Sequence, residues 1–220
     1  MKVCVYTAVF GTVKDTPRPP PAARGVSYVC FTDRPGGFPG WDCRPAEFAH
    51  PASTRRTARA HKLTPHLTLP GYDAWVWVDA CLEFTLRDPG LFATTHAAYP
   101  VWAFRHPHRD CVYREAEACK RFRKDDPAVL DRQAAAYRAR GWPERAGLAE
   151  TACLILHAGR QTERLLEEWW EEVTEFSLRD QVSFPVAAAD AQCPWATLEG
   201  CRDRSPYFTF HPHVHHGDKR

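Results

Sequence analysis

The chain has 220 residues, of which 44% are hydrophobic and 25% are charged, and its formal net charge is only +2. This balance is typical of a globular protein and excludes a disordered chain. The small net charge, without a basic stripe interleaved with aromatic residues, argues against a nucleic-acid partner. The length predicts one domain that covers residues 1–220.

The nine cysteines are scattered along the chain, and no Cys-x-x-Cys pair occurs. Several lie inside apolar runs, as Cys4 and Cys153 do. The pattern predicts reduced, buried thiols in a cytoplasmic protein. We expect no membrane span, because no apolar run is long enough to cross a bilayer.

The first 80 residues contain three runs typical of strands buried on both faces. They cover residues 2–10, 26–33 and 74–79, and the first is followed by a proline-rich loop. The second and third runs end in aspartates, Asp33 and Asp79. Were the third strand to continue through "WVWVDACLEF", Glu83 would lie on the same face as Asp79 and Cys81.

A helix is predicted over residues 53–67, between the second and third strands. Ser53 is its expected N-cap, and Arg55, Arg59 and Lys62 recur at helical spacing on one face. Such a row is either a solvated helix face or a source of positive charge for a ligand.

The rest of the chain continues the alternation of helices and strands. Helices are predicted from Asp88 towards residue 98, over 111–123, over 125–141 with Asp126 as cap, over 160–176, and from Ser177 onwards. Strands are predicted over 99–107, over 151–157 and near residues 207–210. The alternation predicts a single-domain α/β fold whose mostly parallel sheet binds ligands at the carboxyl ends of its strands.

Six ordered blocks resemble the glycosyltransferase-like domain of the plant TOD and MUCI proteins, formerly a domain of unknown function. They are "KVCVYTAVFG", "YVCFTD", "RRTARAHKL", "WVWVDACLEF", "FRHPHRDCVYREA" and "RDQVSFP". The resemblance extends from Lys2 to about Pro185. That family is similar in turn to the GT-A glycosyltransferases, especially the retaining enzymes of the glycogenin type, and this implies a Rossmann-related, GT-A-like fold.

The resemblance implies a nucleotide-sugar donor, UDP-linked by expectation, and transfer with retention to an unknown small molecule, glycan or peptide. It implies that Asp180 and Gln181 lie beside the reacting carbon. Further donor-binding positions implied by it are Tyr6, Thr7 and Ala8 at the nucleoside, Asp33 at the uridine, Asp79 at the diphosphate, and Glu150, Thr151 and Ala152 at the sugar. A C-terminal His…Gly…Lys pattern is loosely matched by His215 or His216, Gly217 and Lys219.

The metal clamp of the GT-A enzymes, Asp-x-Asp, is incomplete in this sequence. Asp79 occupies its first position, but Cys81 occupies its second, and a thiol is a poor ligand for Mg²⁺ or Mn²⁺. We therefore expect Asp79 to hold such an ion only weakly or not at all. Basic side chains then take over the diphosphate, with Arg59, Lys62 and Arg109 as candidates.

Several local features have alternative structural interpretations. Asp79 is also a plausible turn residue, and His106 a plausible structural histidine. Asp180 could complete a capping interaction with Ser177. At the level of function, a hydrolase of the amidase or ceramidase type and a nucleotide-sugar-binding protein without catalysis remain alternatives. The first lacks a Gly-x-Ser-x-Gly or His-Glu-x-x-His motif.

Overall fold

The computed structural model describes residues 1–11, 16–34 and 36–212 and is built on a seven-stranded sheet with the order β3-β2-β1-β4-β7-β6-β8. A separate two-stranded sheet pairs β5 with β9. The strands are β1 Val3–Val9, β2 Val26–Thr32, β3 Asp42–Arg44, β4 Ala74–Val78, β5 Leu82–Phe84, β6 Val101–Arg105, β7 Ala149–His157, β8 Trp195–Leu198 and β9 Phe208–Phe210.

The main sheet is parallel except at β7, which confirms the predicted mostly parallel α/β fold of the GT-A-like type. β7 runs antiparallel between β4 and β6, with Val76 paired to Ile155. Its amino end therefore lies at the same edge as the carboxyl ends of β1 and β4. A continuous apolar run predicts a buried strand but contains no information on strand direction, so β7 could not be oriented from its sequence.

Seven helices surround the sheet in the described residues. They are α1 Thr54–Leu63, α2 Pro65–Thr68, α3 Pro89–Thr95, α4 Val112–Arg121, α5 Pro127–Ala139, α6 Arg160–Glu175 and α7 Asp180–Asp190. Alternate residues of β1 point to opposite faces. Cys4 and Tyr6 lie in the core with residues of α1, α6 and α7, while Val3 and Val5 lie in the core with residues of α3, β5 and β9. None of the described helices combines the length and apolar character that crossing a membrane requires.

The predicted caps account for three helix starts. The side chains of Ser53, Asp88 and Asp126 each accept a hydrogen bond from a backbone amide in the first turn of α1, α3 and α5. The helix predicted over 53–67 divides at Thr64 into α1 and α2. Pro65 explains the break, because proline disfavours helical geometry at the residue before it.

The run "WVWVDACLEF" forms two strands instead of one. β4 ends at Val78, and the chain turns with Leu82 N donating to Asp79 O at 2.9 Å. Glu83 then lies on β5, where it accepts a 2.6 Å hydrogen bond from His211 Nε2. The shared face of Asp79 and Glu83, which a continuous strand would create, is therefore absent.

We predict that Asp88→Ala lowers the free energy of unfolding by about 1 kcal/mol. The Asp88 carboxylate accepts from the amides of both Gly90 and Leu91, at 2.9 and 3.0 Å, and alanine leaves both without this partner. Urea unfolding at neutral pH measures the loss. Glu144→Ala, which removes an exposed carboxylate without such bonds, is the control; equal losses in the two variants would contradict a capping role.

Candidate active site

A cavity of about 640 Å³ opens at the carboxyl ends of β1 and β4, where the amino ends of β7 and α7 also lie. We call it the central cavity. Ala8 and Asp79 line it from the ends of β1 and β4, and Thr151 lines it from β7. Six cationic side chains contribute to its lining: Arg55, Arg59, Lys62, Lys124, Arg179 and Arg202.

An ion pair between Lys62 and Asp180 forms the floor of the central cavity. Both side chains are almost fully buried, and Lys62 Nζ lies 2.5 Å from Asp180 Oδ2. Lys62 Nζ also donates to the backbone oxygen of Thr151 at 2.7 Å, and Thr151 Oγ1 donates to the same carboxylate at 2.9 Å. Arg59 approaches the other carboxylate oxygen at 3.3 Å. Asp180 therefore joins α1, β7 and α7.

The start of α7 differs from the predicted capping arrangement. Arg179 occupies the N-cap position, and its side chain makes no capping hydrogen bond. Ser177 Oγ instead donates to Asp125 Oδ2 at 2.8 Å and accepts from the amide of Arg179. The alternative interpretation, in which Asp180 completes a capping interaction with Ser177, is thus wrong, because the carboxylate of Asp180 turns inward to Lys62.

The electrostatics of the cavity are dominated by crowded cations. Burial alone would raise the pKa of Asp180, but Arg59, Lys62 and Arg179 outweigh it and hold this pKa below its usual range. Burial lowers the pKa of Arg55, and the nearby charges of Arg179 and Arg59 lower it further. An anion bound among these side chains would relieve their mutual repulsion.

The donor set around Asp79 does not fit a protein-built Mg²⁺ or Mn²⁺ clamp. Asp79 Oδ1 accepts a 2.8 Å hydrogen bond from Trp77 Nε1, and Cys81 is a buried thiol that contributes no hard oxygen. The remaining carboxylate of the lining, Asp180, is bound to its cations. Within the described residues, no group of three or more His, Cys, Asp or Glu side chains is arranged to hold a metal ion.

Of the three residues expected at the nucleoside, only Ala8 lines the central cavity. Tyr6 and Thr7 are fully buried. Tyr6 OH donates a 2.7 Å hydrogen bond to the backbone oxygen of Lys62, so this residue fixes α1 against β1 from inside the core.

Asp33 and Glu150 also lie outside the lining of the central cavity. Asp33 accepts from the amide of Gly11 at 2.8 and 3.1 Å and borders a separate surface recess. Glu150 accepts a 2.7 Å hydrogen bond from the amide of Arg202, and burial raises the pKa of its carboxyl group. Lys219, with His215, His216 and Gly217, lies outside the described residues.

Gln181 connects the central cavity to a smaller hollow of about 180 Å³, the inner recess. Its side-chain amide contacts Thr151 N at 3.4 Å and Glu115 Oε1 at 3.5 Å. Glu115 is buried and accepts from Arg109 Nε at 2.5 Å. The predicted pair Asp180 and Gln181 is therefore brought together with Lys62, whereas Arg109 borders the inner recess and not the central cavity. Burial lowers the pKa of His106, which also faces Glu115, to about 4.

Sequence reasoning missed three cationic residues of the central cavity, Lys124, Arg179 and Arg202. Arg179 is the first residue of the block "RDQVSFP", and its position beside Asp180 was the available signal. Arg202 lies in a loop without a recognisable motif, and its place in the site depends on its hydrogen bond to Glu150. Lys124 lies between two helices, so only the three-dimensional fold brings it to the cavity.

The strand order, the antiparallel seventh strand and the cavity at the strand ends together are those of a GT-A-like α/β fold. The family described as TOD1/MUCI70, glycosyltransferase-like domain, matches residues 49–198, and the chain belongs to this family. A comparison with curated proteins gives no match. The family match includes Lys62, Asp79 and the whole of α7.

We predict that Lys62→Met lowers the free energy of unfolding by about 3 kcal/mol or more. The substitution removes one of the three cations that act on the buried carboxylate of Asp180 and leaves Arg59 and Arg179. Urea unfolding at pH 7 measures the effect. Lys124→Met removes an exposed lysine from the same cavity and is the control, with an expected change within about 0.5 kcal/mol. Equal effects in the two variants would contradict a structural role for the buried pair.

The same pair makes a specific prediction about pH. Because the pKa of Asp180 is lowered in the folded state, its stabilising contribution is present above the unfolded pKa of about 3.9 and declines as the pH falls towards the folded value. The difference in unfolding free energy between the wild type and Asp180→Asn should therefore be constant above about pH 5 and narrow below about pH 4. A difference independent of pH would contradict it.

Proposed function

We propose that the protein transfers a sugar from a nucleotide sugar, UDP-linked by preference, to an acceptor hydroxyl, and that the central cavity binds the donor. The observation that carries the proposal is the excess of positive charge at the strand ends. Six cationic side chains and only two carboxylates, Asp79 and Asp180, line the cavity within the described chain. A diphosphate is the matching ligand, because arginine and lysine bind phosphate oxygens with charge-assisted hydrogen bonds.

The size and position of the cavity support a donor of this kind. Its volume of about 640 Å³ lies within the roughly 300–1,000 Å³ that is usual for small-molecule sites. Ligands of open α/β sheets bind beyond the carboxyl ends of the strands. The nucleoside would lie beside Ala8 and Phe10, with the diphosphate towards α1 and α7.

The chemistry requires that the bond between the anomeric carbon and the diphosphate breaks while the acceptor oxygen bonds to that carbon. The diphosphate leaves with the electron pair, and the hydroxyl proton passes to it or to water. The transition state has oxocarbenium character. Positive charge fixed beforehand at the departing oxygens lowers its energy, and Arg55, Arg59 and Arg179 supply this charge.

The two residues at the start of α7 take different parts in this proposal. Asp180 is 2% exposed and acts by fixing Lys62 and Arg59 in place, so it is a positioning residue. The side chain of Gln181 lines both the central cavity and the inner recess, and it contacts the sugar at the point where donor and acceptor meet. Retention of the anomeric configuration follows from the likeness to the glycogenin-type enzymes and is tested by NMR of the first product formed.

A hydrolase of the Ser-His type finds no support in the central cavity. In the part of the chain that the structure describes, its lining includes neither serine nor histidine. A binding protein without catalysis would share the donor contacts and would differ only in turnover.

We predict that UDP binds to the protein and that Arg55→Gln weakens the binding by about tenfold or more, as the loss of a charge-assisted hydrogen bond does. Isothermal titration calorimetry measures both affinities. Arg160→Gln is the matched control, because Arg160 begins α6 beyond the carboxyl end of β7, at the opposite edge of the sheet. Absence of binding by any nucleoside diphosphate at millimolar concentration would overturn the donor assignment.

We predict that turnover of the accepted UDP-sugar survives a chelator at least in part. Asp79 is a single carboxylate ligand, and the arginines of the cavity neutralise the diphosphate in place of a tightly held ion. Release of UDP, with water or a sugar as acceptor, is measured with and without EDTA. Complete loss with EDTA, restored by Mn²⁺, would show that Cys81 has not removed the metal requirement.

A further inference from the structure

Two cysteines face each other at the edge of the main sheet. β3 is the edge strand that pairs with β2, and the parallel register places Cys43 directly beside Cys30. Their side chains pack in the same cluster and lie within hydrogen-bonding contact. Neighbouring strands are about 4.8 Å apart, which falls within the Cα separations of roughly 4.4–6.8 Å that a disulfide accepts. A bond between the two sulfurs therefore requires no large movement of either strand.

The two thiols differ in their access to solvent. All nine cysteines lie in the described part of the chain, and Cys43 is the one among them that is not buried. It lines the surface recess that Asp33 and Arg34 also border, which has a volume of about 600 Å³. Cys30 is fully buried behind it, and burial raises the pKa of its thiol. A small oxidant in solution therefore meets Cys43 first.

The loop before β3 holds a hydrogen-bond donor against the sulfur of Cys43. The backbone amide of Phe38 donates to Cys43 Sγ at 3.2 Å. Gly37 lets the backbone come this close, because its φ is +58° and a Cβ atom there would lie 2.8 Å from the same sulfur. An amide donor and a nearby cation such as Arg34 favour the thiolate, which is the reactive form of cysteine. A cysteine that only fills space needs neither this donor nor an open recess.

We propose that Cys43 and Cys30 form a redox modification site, at which hydrogen peroxide oxidises Cys43 and Cys30 then closes a disulfide with it. The proposal goes beyond the proposed function and does not depend on it, because no sugar or nucleotide takes part.

The chemistry consists of two displacements at sulfur. The Cys43 thiolate attacks one peroxide oxygen, so that an S–O bond forms, the O–O bond breaks, and hydroxide leaves and takes up the thiol proton as water. The sulfur of Cys30 then attacks Cys43 Sγ. The S–S bond forms, the S–O bond breaks, and the departing hydroxide takes the Cys30 proton and leaves as a second water. The two thiols lose two electrons, and one peroxide is reduced to two waters.

The test treats the folded, fully reduced chain with one equivalent of hydrogen peroxide. We expect peptide mapping by mass spectrometry to find the cross-link between Cys30 and Cys43, and dithiothreitol to reverse it. Cys30→Ala should instead leave a sulfenic acid on Cys43, which dimedone traps. Cys193→Ala removes a buried thiol from another part of the core and should keep the cross-link. Melting temperatures verify that the variants fold.

A second measurement reports the folded environment of Cys43 without any oxidant. With limiting iodoacetamide, we expect Cys43 of the folded wild type to be alkylated about tenfold or more faster than each of the other cysteines. In urea this preference should disappear, because the exposure of the sulfur and its amide donor are properties of the fold.

Three results would each overturn the proposal: no cross-link with one equivalent of peroxide, a first cross-link between a different pair of cysteines, or equal alkylation rates in the folded chain. Absence of the dimedone adduct on Cys43 in a folded Cys30→Ala variant would overturn it as well. If that variant does not fold, the peptide map and the alkylation rates of the wild type decide by themselves.

Discussion

The buried ion pair of Lys62 and Asp180 is the interaction on which the site depends. It lies where α1, β7 and α7 meet, and each of these elements contributes a hydrogen-bonding group to it. Two buried charges cost much desolvation free energy, and the pair repays this cost only with good geometry and further partners. Thr151, Arg59 and the ring of Trp77, whose centroid lies 5.3 Å from Lys62 Nζ, supply those partners. The orientation of α7, and with it the position of Gln181, follows from this pair.

The sequence was sufficient for those features that local chemistry determines. Ser53, Asp88 and Asp126 marked helix starts because a short polar side chain satisfies free backbone amides there. The apolar runs of β1, β2 and β4 marked buried strands because both faces of the sheet are covered. The presence of Asp180 and Gln181 at the site was implied by a resemblance, whereas the helical spacing of Arg59 and Lys62 indicated either a solvated helix face or a source of positive charge.

Other features depend on contacts between distant parts of the chain and could not be predicted. The direction of β7 depends on its neighbours, and the short strands β3 and β8 gain their pairing only from β2 and β6. Tyr6 was expected at a ligand, but its hydroxyl donates a hydrogen bond to the backbone oxygen of Lys62 in the core. Capping was the structural alternative for Asp180, yet a buried lysine 118 residues away in the sequence holds its carboxylate instead of a local hydrogen bond.

The antiparallel direction of β7 also determines which segments of the chain form the two sides of the site. β6 and β7 are antiparallel neighbours in the sheet, so the segment 106–148 that joins them is a long insertion in the place where a hairpin would have a short turn. This insertion contains α4, α5 and the loop of His106 and Arg109, whereas the cations of α1 and α7 lie outside it. The inner recess thus takes most of its lining from one insertion, including His106, Arg109 and Glu115. Replacing this insertion with that of a relative would change the inner recess while β1 and β4 keep their registers.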